Sequence, residues 1–127
     1  MILVDTNVII DLWRKAEPGK IEIFENNEIA ICTIVKAELI FGAKNEKEKA
    51  KIIDALDELI MLSVDEEHWE SLYELLYKLR REGITVPFQD ALIAVIAERN
   101  DCLLWTNDNH FKEISVVLKD LKLMKNS

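Results

Sequence analysis

The 127-residue sequence predicts an α/β fold organised around a parallel β-sheet. Three observations carry that prediction. Short apolar runs alternate along the chain with longer segments of helical periodicity, the pattern of strands joined by helical crossovers. The runs are continuous rather than alternating polar and apolar, as strands covered on both faces require. Only three glycines and two prolines punctuate the chain, so residues 1–127 read as one densely structured domain with no repeat, linker or low-complexity segment.

Residues 2–5 read as the first strand, the apolar run Ile2-Leu3-Val4 ending in Asp5, and a short helix follows from about Val8 to Arg14. Pro18-Gly19 reads as a turn, with a short helical piece over Ile21–Glu25. Ile29–Cys32 is the second strand. Thr33 is a capping residue for a helix reaching about Ala43. Lys44–Ile60 reads as another helix, striped by Ile53, Leu56 and Ile60, and Met61–Val64 as the third strand. Asp65 caps a long helix to about Glu82, whose apolar stripe Trp69, Leu72, Leu76 and Leu79 faces the core or else a partner. Pro87 opens a further helix to about Asn100. Cys102–Trp105 is the fourth strand, a short helix follows Asn107-Asp108, and a last strand lies near Leu121–Met124.

A chain of this length, half of it hydrophobic, buries roughly two-thirds of its unfolded surface and builds a real core. No apolar stretch approaches the roughly 20 residues that span a bilayer, and no basic segment precedes an apolar one at the N-terminus. A cytoplasmic protein with no membrane partner is therefore expected. Cys32 and Cys102 lack metal-ligand spacing and read as buried small hydrophobes in a reducing compartment. The net charge is −8, but it is concentrated: residues 52–77 hold eight acids and no lysine or arginine. Elsewhere sixteen acids are matched by sixteen basic residues. That excludes a globally basic nucleic-acid clamp without excluding a nucleic-acid substrate held locally or through a cation.

Four acids stand where a carboxylate is costly or unexplained. Asp5 ends an apolar strand, and Thr6 and Asn7 beside it are already capping residues. Glu38 lies on the apolar segment Thr33–Ala43, where a buried glutamate needs something to satisfy it. Asp90 occupies the first turn of a helix and precedes seven apolar residues, Ala91–Ala97. Asp108 follows the fourth strand. Each has a bland reading, as a helix cap, a dipole partner or a solvent-reaching side chain. Together they repeat one pattern. In a parallel sheet, ligands bind at the carboxyl ends of the strands, where these acids can converge. Clustered carboxylates repel and call for protons or a cation, and all-oxygen ligands suit Mg²⁺ or Mn²⁺. Such sites polarise phosphates and activate water.

In order and spacing, Asp5-Thr6-Asn7, Glu38, Asp90 with Ile93, Ala94 and Ala97, and Thr106-Asn107-Asp108 followed by Phe111 resemble the PIN-domain ribonucleases. Among these they look most like the VapC-type toxins of toxin–antitoxin pairs. The resemblance spans essentially the whole chain. It implies an α/β/α sandwich with a central parallel sheet, Mg²⁺ or Mn²⁺ held by acids, endonucleolytic hydrolysis of RNA, a homodimer and an inhibiting antitoxin. It further implies that Asp5, Glu38, Asp90 and Asp108 bind the metal or orient the attacking water. Thr6 and Thr106 correspond to supporting polar residues, with Asn7 beside them. Val95, where alanine is common, is a departure that concerns packing. His110 has no role in this pattern and reads as a surface helix residue. RNA would be gripped locally, with Arg14, Lys15 and Lys36, and also Lys44, Lys47 and Lys112, near the crevice. Trp13 is either a stacking platform or a core residue.

Other readings fit less well. A phosphoacceptor receiver domain needs paired acids after its first strand and a lysine after a late one. A haloacid-dehalogenase-type phosphatase needs an aspartate where Asn7 stands. A PIN nuclease of RNA processing, or a catalytically silent PIN binding module, shares the same residues and differs in context.

Overall fold

A computed structural model describes residues 1–125. The elements are β1 (Ile2–Val4), α1 (Thr6–Arg14), α2 (Pro18–Asn26), β2 (Ile29–Cys32), α3 (Thr33–Phe41), α4 (Glu46–Leu56) and β3 (Ile60–Leu62). They continue with α5 (Glu66–Arg81), α6 (Phe88–Arg99), β4 (Leu103–Trp105), α7 (His110–Val117) and β5 (Lys122–Leu123). The five strands form one sheet in the order β3-β2-β1-β4-β5, with every pair parallel. Helices α1, α3 and α4 pack with one another, as do α5, α6 and α7, giving the α/β/α sandwich.

The continuous apolar runs are explained by burial. All of β1 and β2 is buried, and Leu3, Val4, Ala30 and Ile31 are fully so. Helix α6 is apolar around its whole circumference, and Ala91–Ala97 are all buried. A helix without a polar face can only sit inside a fold. Helix α5 begins with the capping box Asp65/His68 and ends at Glu82, after which Gly83 takes φ +71° and reverses the chain.

Several boundaries differ from expectation. The first strand stops at Val4, and α1 starts at Thr6 rather than Val8, because the Asp5 carboxylate itself caps the helix by accepting from the Thr6 N–H. Pro18-Gly19 is no turn. Pro18 opens α2, where its fixed φ and missing N–H cost nothing. Thr33 is the first residue of α3, not its cap; Cys32 holds that position. The expected Lys44–Ile60 helix is shorter. Asn45 caps it through the Glu48 N–H, Asp57 closes it, and Ile60 belongs to β3. On α5 the buried residues are His68, Leu72, Leu75 and Leu79, while Trp69 is partly exposed, so the core stripe is rotated toward Leu75. Helix α3 is less enclosed than its apolar sequence implied. Only Val35 and Leu39 are buried, and Phe41 is 92% exposed.

Candidate active site

The register of the sheet builds the site. Val4 is opposite Trp105, so Asp5 and Thr106 are the next pair beyond the strand ends. Order along the sheet reverses at β1/β4, since β2 and β3 lie on one side of β1 and β4 and β5 on the other. The carboxyl ends of strands at such a reversal frame a crevice.

Asp5 is 95% buried, and its partners account for that. Oδ1 accepts from the Thr6 N–H at 2.8 Å, and Oδ2 accepts from Thr106 Oγ1 at 2.8 Å and from Asn7 Nδ2 at 3.4 Å. Thr106 Oγ1 in turn accepts from the Asp108 N–H at 3.0 Å, so one hydroxyl links the two strand-end acids. Thr6 Oγ1 donates to Glu38 Oε1 at 3.1 Å and thereby ties α3 to α1. Asn7 Oδ1 accepts from the Asn107 N–H, and Asn107 Nδ2 donates to Asp11. Thr6, Asn7 and Thr106 thus brace the acids.

Asp90 enters from the start of α6, and its Oδ2 lies 2.9 Å from His110 Nδ1. The same nitrogen is 3.2 Å from Asp108 Oδ1, which also accepts from the His110 N–H. Asp90, Asp108 and His110 therefore offer three donor atoms within 4.8 Å of one another. His110 is a surface helix residue, with its side chain 40% exposed, but it also contacts two of the acids, which the sequence did not show. It stands at the first position of α7, two residues after Asp108, where the helix start turns its ring onto the carboxylates.

Burial raises the Asp5 carboxyl above the ordinary range, and the neighbouring Asp108 charge adds to it. Asp90 is raised by burial and by Asp108 and Asp5, against the lowering effect of His110. Glu38 is not buried, as its apolar surroundings suggested. It is exposed as a residue, with a carboxyl end tucked against Thr6, and that partial burial together with Asp5 and Asp90 raises it. His110 is raised by its bond to Asp90 and by the surrounding acids. Among the described residues, no lysine or arginine ion-pairs with any of the four acids. A concentrated set of carboxylates, with a single histidine and no lysine or arginine beside it, fits a divalent cation and the phosphate chemistry it supports.

A cavity of about 560 Å³ adjoins Glu38 between α1, α3 and α4. Ile10, Leu39 and Ile52 form its apolar walls, and Trp13, Arg14 and Lys44 line its mouth. Trp13 is 45% exposed and is not a core residue. Lys112 borders a second hollow beside Thr106 and Asp108. Lys15, Lys36 and Lys47 line neither. Cys32 and Cys102 are free and buried, and burial pushes the Cys32 thiol up to about 11, so it stays protonated.

The PIN domain profile matches residues 2–117. The chain is 30% identical over 115 residues to ribonuclease VapC1 of Methanocaldococcus jannaschii, covering 89% of this chain and 80% of that protein. Among solved structures it resembles a chain of VapBC2 from Rickettsia felis bound to a promoter DNA fragment. The TM-score is 0.85, with 28% identity and complete coverage of both chains. A chain of VapBC-1 from nontypeable Haemophilus influenzae aligns with TM-score 0.83 and 25% identity over 98% of each chain.

Proposed function

The chain belongs to the PIN-domain family of metal-dependent ribonucleases, and from that premise we propose that Asp5, Glu38, Asp90 and Asp108 form its catalytic metal site, served by Mg²⁺ or Mn²⁺. The observation that carries this reading is the convergence of the four acids, from β1, α3, α6 and the loop after β4, with no lysine or arginine to neutralise them. The protein is an RNA-hydrolysing toxin with an antitoxin partner.

A bound divalent cation polarises the phosphodiester and lowers the pKa of a coordinated water. The chain's own residues supply the rest. Thr106 holds Asp5 and the Asp108 backbone in one arrangement, and Thr6 fixes Glu38 at the mouth of the crevice. One of the four carboxylates orients the water, whose oxygen adds to phosphorus as the bond to the 3′-oxygen breaks. The departing oxygen takes a proton, leaving 5′-phosphate and 3′-hydroxyl ends. Of the expected basic residues, Arg14 and Lys44 beside Glu38 and Lys112 beside Asp108 are placed for local phosphate contacts, with Trp13 exposed for base stacking, whereas Lys15 and Lys36 line neither hollow. The test is cleavage of a mixed tRNA and rRNA pool. Discrete products are expected with Mg²⁺ or Mn²⁺ and none with EDTA, and EDTA-resistant cleavage sinks the assignment.

The apolar cavity beside Glu38 suits an amphipathic segment of the antitoxin. A helix seated there also covers one of the four acids, so binding and inhibition coincide. Replacing exposed Ala55, at the cavity wall on α4, with Glu is expected to weaken antitoxin binding at least roughly tenfold, about 1.4 kcal/mol, while RNA cleavage persists. Titration of labelled antitoxin against both forms measures this, and equal affinity moves the docking surface elsewhere. The reading includes a cytoplasmic homodimer, with exposed Phe41, Tyr73 and Tyr77 available for a second copy to cover. Among the described residues no helix is long and apolar enough to cross a membrane.

A further inference from the structure

We infer that His110 is a nitrogen ligand of the metal site and tilts it toward Mn²⁺ over Mg²⁺. The inference rests on the metal-dependent reading above and corrects its all-oxygen donor set. Cis ligands of an octahedral cation, each about 2.1 Å from it, stand about 3 Å apart. His110 Nδ1 lies 2.9 Å from Asp90 Oδ2 and 3.2 Å from Asp108 Oδ1. The imidazole is therefore already at ligand spacing from two carboxylates, with all three donor atoms within 4.8 Å of one another.

Core packing does not explain this placement, because the His110 side chain is 40% exposed. Its backbone explains the aim. The His110 N–H is held by Asp108 Oδ1 at 2.9 Å, which points the first residue of α7 back over the acids. Carboxylates alone accept Mg²⁺ and Mn²⁺ with little preference, whereas an imidazole nitrogen adds affinity for transition metals and almost none for Mg²⁺. One histidine at this place makes the two ions unequal.

The experiment uses the full chain, free of antitoxin, with Mn²⁺ as the probe. Bound Mn²⁺ is read by electron paramagnetic resonance, its ligand nitrogens by electron spin-echo modulation, and Mg²⁺ by competition. Wild type is expected to show a directly coordinated ¹⁴N. H110A is expected to lose that signal and to bind Mn²⁺ roughly tenfold or more weakly, with Mg²⁺ affinity changed less than about threefold. H110N, which keeps a polar side chain of similar size, gives the same result. Mn²⁺ bound by wild type without nitrogen coupling overturns the inference, as does an equal loss of both ions in the variants. Failure of wild type to bind Mn²⁺ at all, or unchanged binding in D90N, overturns the metal site itself.

Discussion

Replacing Asp5 with asparagine is expected to lower kcat for RNA cleavage at least roughly a thousandfold, about 4 kcal/mol of transition-state stabilisation, while the protein stays folded. The two halves of the expectation come from different atoms. Oδ1 caps α1 through the Thr6 N–H, and the asparagine carbonyl retains that bond. Oδ2 faces Thr106 and the acid cluster, and there the amide carries no charge for a cation. Steady-state cleavage at saturating Mn²⁺, beside circular dichroism and a melting curve, separates the two. A folded D5N retaining a tenth of wild-type activity removes Asp5 from the proposed machinery. An unfolded D5N would mean that the Thr106 bond serves the fold more than the chemistry, and D90N then provides the same test from α6.

The metal-free protein is expected to lose stability as pH rises from about 4 to about 8, opposite to most proteins. The sign follows from the site. Asp5, Glu38 and Asp90 have folded pKa values above their ordinary 3.8, 4.5 and 3.8, so the native state binds protons more tightly than the unfolded chain. Their contribution is present at low pH and is lost as pH passes through each raised value. His110 is also raised, above 6.5; its contribution is complete below that value and is lost as pH climbs through the folded one. The groups facing one another here, from β1, α3, α6 and the start of α7, all act in the same direction. Asp65 and Asp101 are lowered and act oppositely, but both are fully exposed and weigh little. Mg²⁺ or Mn²⁺ reverses the trend by replacing the missing protons, with about 2.7 kcal/mol of stabilisation at a hundredfold excess over Kd. Urea unfolding across this range, in EDTA and in metal, measures both slopes. A metal-free protein that grows more stable toward pH 8 contradicts the account. D5N is expected to show a shallower slope and to melt higher than wild type in EDTA.

Strand and helix identities were legible because burial on two faces leaves continuous apolar runs, and α6 carried its enclosure openly in Ala91–Ala97. Boundaries were less legible where one side chain served two roles. Asp5 is both a helix cap and a member of the acid cluster, so the two readings of it were never alternatives. The setting of Glu38 differs from what its sequence neighbours imply. It was expected in an enclosed helix, yet it stands at an open cavity mouth, and its apolar neighbours are cavity wall as much as core. His110 carried no pattern at all, since a lone histidine in a first helical turn has no spacing partner nearby in sequence. Asp90, its nearest partner, lies twenty residues earlier and is brought in by the β4 crossover. The Leu75 face of α5 was not legible because Leu75 and Leu76 both satisfy a helical repeat, and in the fold Leu75 is buried while Leu76 lies at the edge of the core.

The burial of α6 divides the site by timescale. Amides in a helix enclosed on every side exchange with solvent only when the whole molecule opens, and the central strand β1 shares that protection. Asp90 and Asp5 are mounted on these two elements. Glu38 is exposed, and residues 107–110 are exposed or half-buried. Hydrogen exchange is therefore expected to find the amides of β1 and of Ala91–Ala97 slower than those around Glu38 and from Asn107 to His110.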